Sequence, residues 1–227
     1  MKRIGFFGLM AAVVLTAACS DSNDSSTPQA QLRVVHASPD APNVDVYVDG
    51  AKVLTNVAYK AASGYLRVSA GSHNVKVNAT GTSTTVIDVT STLAAGSDYT
   101  AMATDFVADI TPLLLADTNT APAAGKVKVR LVHAAPSAGV VDIYVTAPGA
   151  DLATATPALT NIPFQAVSGY LEVPAGDYQV RITAAGTKTV ALDSGTLTLT
   201  AGQIRTGVAL DNVGGGAPFG AIVLADN

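Results

Sequence analysis

A single cysteine, Cys19, in 227 residues excludes any intramolecular disulfide, so stability must come from apolar burial. Tryptophan is absent and aromatic residues make up only 5% of the chain, so the strongest stacking platform for a sugar ring is missing. Charged residues amount to 13%, and acidic ones outnumber basic ones by 17 to 13. Nothing resembles the clustered Lys and Arg that a phosphate backbone requires, which argues against nucleic acid as a partner. Familiar catalytic signatures are missing too: no Gly-x-Ser-x-Gly elbow, no His-Glu-x-x-His and no Cys-x-x-Cys. Gly214-Gly215-Gly216 has no following Lys-Ser/Thr and is no phosphate cradle. No window sustains a helical period, and no apolar run reaches the roughly 20 residues that cross a bilayer as a helix.

The one strongly apolar stretch lies at the start. Lys2 and Arg3 precede a run of small and greasy residues from Ile4 to Ala18, and Thr16-Ala17-Ala18-Cys19 then gives way to Ser20-Asp21-Ser22-Asn23-Asp24. Charge, length and exit chemistry are those of a secretory signal peptide. With cysteine at the cut, the segment resembles a bacterial lipoprotein signal. That resemblance implies cleavage before Cys19, diacylglycerol on its thiol and an acylated amine, hence membrane attachment. Thr16 stands where such signals prefer Leu, and a plain signal peptide cut after Ala17 or Ala18 is the alternative. Ser20 after the cysteine points, by the sorting rule of such lipoproteins, to the outer membrane of the cell envelope. Residues 1–18 are then the leader, and the polar segment 19–30 is a lipidated flexible tether of about 18 Å mean reach.

The remainder is one unit written twice. Residues 33–48 and 130–145 match at ten of sixteen positions without a gap, and the echo continues through Ser63-Gly64-Tyr65-Leu66 and Ser168-Gly169-Tyr170-Leu171. Leu115-Ala116-Asp117 is answered by Leu224-Ala225-Asp226. The second copy carries extra residues between Tyr144 and Leu159, rich in Pro and Gly, which predicts a lengthened surface loop. A period this long marks a tandem domain duplication. The copies are expected at 31–118 and 126–227, joined by a linker at 119–125. Each is expected to hold a complete strand set and to fold when expressed alone.

Within each copy, apolar residues alternate with polar ones, as in Val44-Asp45-Val46-Tyr47-Val48 and Val141-Asp142-Ile143-Tyr144-Val145. Turn signals such as Asp49-Gly50 and Ala175-Gly176 separate the runs. The chain is therefore predicted to be all-β. Two tandem β-sandwich domains of the immunoglobulin or transthyretin kind, with about seven or eight strands each and polar outer faces, would hide the valines. A barrel is the second choice.

The run Val-Val-His-Ala-Ser-Pro-Asp-Ala-Pro-Asn-Val-Asp-Val-Tyr-Val-Asp-Gly at 34–50, followed by Ser-Gly-Tyr-Leu at 63–66, resembles the bacterial envelope family known as domain of unknown function 4397. The resemblance covers both copies, although Ser137 and Gly139 replace Asp40 and Pro42 in the second. It implies a β-sandwich in an exported setting and supplies neither an activity nor catalytic residues.

Polar residues present in both copies are read as structural, because one active site need occur only once. These are His36/His133, Arg33/Arg130, Asp45/Asp142 and Tyr65/Tyr170. The histidines are expected to satisfy backbone groups of the turn that follows them. A metal site with Asp40 or Asp45 is the weaker reading. Arg33 and Asp45 are expected to form a cross-strand ion pair, and Tyr65 to be a core or corner tyrosine. The acidic pairs Asp45/Asp49 and Asp88/Asp98 are read as solvated faces and turns rather than a glycosidase couple. No catalytic, cofactor or metal residue is assigned. The expected function is that of a non-catalytic, lipid-anchored envelope protein, a binding or structural module whose partner is an envelope protein or a polysaccharide. A carbohydrate-binding module using exposed Tyr47 and Tyr144 and the loop 146–158 is the alternative, and a hydrolase or metal-dependent enzyme the remote one.

Overall fold

A computed structural model describes residues 27–227. The leader, Cys19 and most of the tether lie outside the described residues. The first copy contains β1 (Gln29–Ala37), β2 (Val44–Val48), β3 (Ala51–Val57), β4 (Leu66–Ser69), β5 (Gly71–Ala79), β6 (Thr85–Leu93), β7 (Asp98–Thr104) and β8 (Thr111–Asp117). The second repeats the set as β9 (Lys126–Ala134), β10 (Val141–Thr146), β11 (Leu159–Ile162), β12 (Leu171–Pro174), β13 (Gly176–Ala184), β14 (Val190–Leu199), β15 (Ile204–Leu210) and β16 (Gly220–Ala225). Each copy folds into two four-stranded sheets of identical order. These are β4-β1-β7-β8 with β3-β2-β5-β6, and β12-β9-β15-β16 with β11-β10-β13-β14. Pairing is antiparallel except for β1 with β7 and β9 with β15, which run parallel. The fold is a pair of β-sandwiches.

The two sandwiches share a third core. Along β1, Ala30, Leu32 and Val34 pack on Val44, Val46, Val77, Ile87 and Leu93 of the first copy's other sheet. Val35 and Ala37 point the opposite way. They join Met102 and Leu115 against Val132, Ala134, Val208, Leu210 and Leu224 of the second copy. Beyond that layer, Val141, Ile143, Ile182 and Leu192 close the second sandwich. The result is a four-layer stack, with β4-β1-β7-β8 and β12-β9-β15-β16 as inner sheets. A strand buried on both faces reads as a continuous apolar run rather than an alternation, and Val34-Val35-His36-Ala37 is such a run.

Two expectations change accordingly. Polar outer faces exist only on the outer sheets. Each copy has a complete strand set, but cutting the chain would expose Val35, Met102 and Leu115 on one side and Val132, Val208 and Leu210 on the other. Burying one such side chain contributes roughly 1.5–3 kcal/mol, so the central core is a substantial part of the stability of both copies. Polar contacts cross the same boundary: the Tyr59 hydroxyl donates to the Asp211 carbonyl at 2.9 Å, and the Gly214 amide to the Pro39 carbonyl at 2.8 Å.

Candidate functional site

The densest cluster of charge lies inside that shared boundary. Arg33 occupies a β1 position that faces the second copy. Its Nη2 donates to Asp226 Oδ1 at 2.6 Å and to Thr100 Oγ1 at 2.8 Å, while Nη1 reaches the Ala225 carbonyl at 2.8 Å. Arg130, at the matching position of β9, mirrors this in reverse. It donates to Asp117 Oδ1, to the Ala116 carbonyl at 3.1 Å and to Thr206 Oγ1 at 2.9 Å. Each arginine thus holds the carboxylate that ends the other copy.

The second oxygen of each carboxylate is filled from its own copy. Asp117 Oδ2 accepts from Thr100 Oγ1 at 2.6 Å and from the Tyr65 hydroxyl at 2.7 Å. Asp226 Oδ2 accepts from Thr206 Oγ1 at 2.6 Å and from the Tyr170 hydroxyl at 2.8 Å. The guanidinium groups lie 4.8 and 4.6 Å from the Tyr65 and Tyr170 ring centres, a cation–π distance. The arginine side chains are 3% exposed and the carboxylates fully buried. Burial above all, then the hydrogen bond to the neighbouring carboxylate, pushes the Tyr65 hydroxyl well above the usual phenol range. Burial does the same to Tyr170, which also donates to Asp226 while Arg130 pulls the other way. Two positive and two negative charges form a neutral, buried ring with every carboxylate oxygen occupied. Such a ring holds surfaces together; it offers no free nucleophile or base.

The expected Arg33–Asp45 pair does not form. The two residues lie in different sheets, and Arg33 faces away from the sheet that contains β2. Asp45 instead accepts from Lys52 Nζ at 2.7 Å, from the Asn56 amide at 2.9 Å and from Thr80 Oγ1 at 3.1 Å. Lys52 first, then the Asn56 amide, holds its carboxyl down to about 2. Asp142 plays the same part through the amides of Asn161 and Gly186, each at 2.8 Å. Asn56 and Asn161 both sit at positive φ, 56° and 54°, so the carboxylates brace backbone that Asn tolerates better than most residues.

His36 Nε2 lies 3.0 Å from the Pro42 carbonyl, and His133 Nε2 lies 2.8 Å from that of Gly139. Each Nδ1 faces an amide two residues on, Ser38 and Ala135, at 3.4 Å. Burial lowers both histidines below the ordinary imidazole value. With both nitrogens turned to backbone, neither is free to ligate, and among the described residues no group of three His, Cys, Asp or Glu could hold a metal.

Tyr144, expected at the surface, is 2% exposed. The inserted loop of the second copy folds back over the outer sheet instead of projecting. Leu152 buries there, the Ala150 carbonyl accepts from Arg181 Nη2 at 2.8 Å, and Lys188 sits 4.5 Å from the Tyr144 ring. Tyr47 stays partly exposed, 5.4 Å from Lys52. Among the described residues, the large hydrophobic side chains that are exposed, such as Val213 and Val223, include no aromatic residue. The other acidic residues of the imagined glycosidase pairs are also engaged: Asp49 by His73, Asp88 by Asn74, and Asp98 by Gln31.

Sequence reasoning missed two groups. Asp117/Asp226 and Thr100/Thr206 complete the charged ring, and the repeated Leu-Ala-Asp was the available signal. His73 has no counterpart, because Tyr178 takes its place, so the comparison of copies could not find it. Its Nδ1 lies 2.6 Å from Asp49 Oδ2 and its Nε2 2.7 Å from the Ser69 carbonyl.

With that geometry in place, the family follows. Residues 30–144 and 145–227 match the family described as Domain of unknown function (DUF4397). The chain belongs to that family. The family match divides within β10, whereas the sheets divide between β8 and β9. No curated protein matches. Among solved structures, the chain is similar to the family-26 carbohydrate-binding module of Eubacterium rectale Amy13K in complex with maltoheptaose. Identity there is 12%, coverage 86% of this chain and 96% of that one, and the TM-score 0.28. An α-glucan-binding streptococcal virulence factor shows 15% identity over 74% of this chain and 87% of its own, with a TM-score of 0.25. Neither likeness transfers a ligand or a site to this chain.

Proposed function

We propose that this member of the family is a non-catalytic, lipid-anchored protein of the bacterial cell envelope, held at the outer membrane through Cys19. In this reading the two sandwiches act as one rigid body that makes contacts with an envelope protein or a polysaccharide. The observation that carries it is where the repeated polar residues go. The arginine–aspartate ring joins the copies, the histidines hold turns, and Asp45 and Asp142 brace strained backbone. Each is spent on architecture. What is left for function is surface rather than a reactive centre.

Mass spectrometry of the mature N-terminus, with membrane fractionation of Cys19→Ser, tests the anchor. The expected result is a diacylglyceryl Cys19 at the N-terminus and loss of Cys19→Ser from the membrane fraction. An unprocessed chain in the cytosol would overturn the reading.

A further inference from the structure

The two sandwiches differ inside. Between the sheets of the first copy lies a cavity of about 50 Å³, whereas the second holds two apolar chambers of about 230 and 150 Å³. Leu131, Val180, Leu197, Gly207 and Val223 wall both chambers, so the two adjoin at these residues as a slot of two chambers.

Two local changes lie beside the slot. In the first copy Val34 of β1 stands beside Ala101 of β7; the corresponding neighbours are Leu131 and Gly207. Val75 of β5 stands opposite Val89 of β6. At the equivalent place β14 shifts register between the partners of Gln179 and Arg181, and Ser194-Gly195 fall opposite Val180. Gly195 sits at φ 62°, as a bulge residue often does, and Ser194 Oγ accepts the Val180 amide at 2.9 Å. The second sandwich therefore lacks the Ala101 methyl and the Val89 isopropyl group of the first, while Leu131 and Leu197 replace the smaller Val34 and Ser91.

A dry cavity of about 150 Å³ with Leu, Ile and Phe walls binds benzene, and water needs two or more polar partners to occupy such a space. The shared walls offer none. A cation stands beside the slot. The larger chamber reaches Ser194, and the smaller reaches Arg205. Arg205 donates to the Ile204 carbonyl at 3.0 Å and to Asn227 Oδ1 at 3.4 Å, and forms no ion pair among the described residues. We propose that the second sandwich takes one alkyl chain of a monoanionic amphiphile, with the tail along the slot and the head at Arg205. The apolar walls suit an alkyl chain, and Arg205 beside them suits its anionic head. This site is independent of the anchor at Cys19.

Displacement of a dansyl-labelled fatty acid by laurate from the mature chain, followed by fluorescence and melting temperature, tests the site. Laurate is expected to displace the probe at one per chain and to raise Tm. Arg205→Gln should weaken laurate about tenfold and leave lauryl alcohol unchanged. A Cβ built at Gly207 lies 3.3 Å from Leu131 Cδ2. Gly207→Val should therefore narrow the slot and abolish displacement by both ligands. If Gly207→Val does not fold, the laurate-against-alcohol comparison in Arg205→Gln decides alone. The proposal is overturned by no displacement below the micelle concentration, or by equal laurate uptake in a folded Gly207→Val. Equal weakening of both ligands by Arg205→Gln would also overturn it.

Discussion

His73 and the repeated histidines respond to pH with opposite signs. The hydrogen bond to Asp49 comes first in raising His73 above the ordinary imidazole value, with the Ser69 carbonyl adding to it against some burial. A raised folded value means stabilisation that is complete below the unfolded pKa of about 6.5 and is lost as pH rises through the folded one. For His36 and His133, burial sets a lowered value, so the stability they permit is present above about 6.5 and lost as pH falls. Replacing His73 with Gln should therefore lower Tm more at about pH 6 than at about pH 9. Equal losses at both pH values in thermal melts would contradict a charged His73–Asp49 contact. At this scale the sequence was legible where a residue works alone. The duplicated histidines precede Ala-Ser-Pro and Ala-Ala-Pro turns, and their nitrogens turn to those backbones. The pairing of Arg33 was not legible, because β1 and β2 are neighbours in the chain but belong to different sheets, and the partner that Arg33 needs stands 193 residues away.

Among the elements, alternation marked the outer-sheet strands β2, β5, β10 and β13, whose polar side faces outward. It could not mark β1 and β9 in the same way, because a strand covered on both sides has no polar side to show. The run Val34-Val35-His36-Ala37 already departs from period two, and that departure was the available sign of a second covering layer. The loop between β10 and β11 was legible as an insertion but not as a cover. Its Pro and Gly content describes how the chain turns, whereas Leu152, Arg181 and Lys188 decide where it lies. Leu152→Ala should cost about 2 kcal/mol, the low end for a buried leucine because a surface loop can settle into the space. Limited proteolysis checks this: cleavage within 147–158 should become faster than in the parent. An unchanged cleavage rate would mean that Leu152 does not hold the loop down.

For the whole molecule, duplication has produced a body whose halves complete each other. Each copy supplies an arginine and an aspartate, and each pairs with the opposite charge of the other copy. A period near 100 residues shows that two units exist, but it carries no information on how they pack. Crossed pairing of equivalent residues looks, in the sequence, the same as pairing within a copy. Breaking a buried pair by removing one partner costs about 3–5 kcal/mol, because the remaining charge stays buried without its counter-charge. Asp226→Asn should therefore weaken both sandwiches together, although the residue lies near the end of the second. Amide hydrogen exchange of the mature chain across a denaturant series, read separately in β5 and β13 on the two outer sheets, tests this most directly. The expected result is a single coincident unfolding event for both strands, shifted down by about 3–5 kcal/mol in Asp226→Asn. Two separate events, with only β13 responding to the substitution, would contradict a molecule held together by its crossed charges.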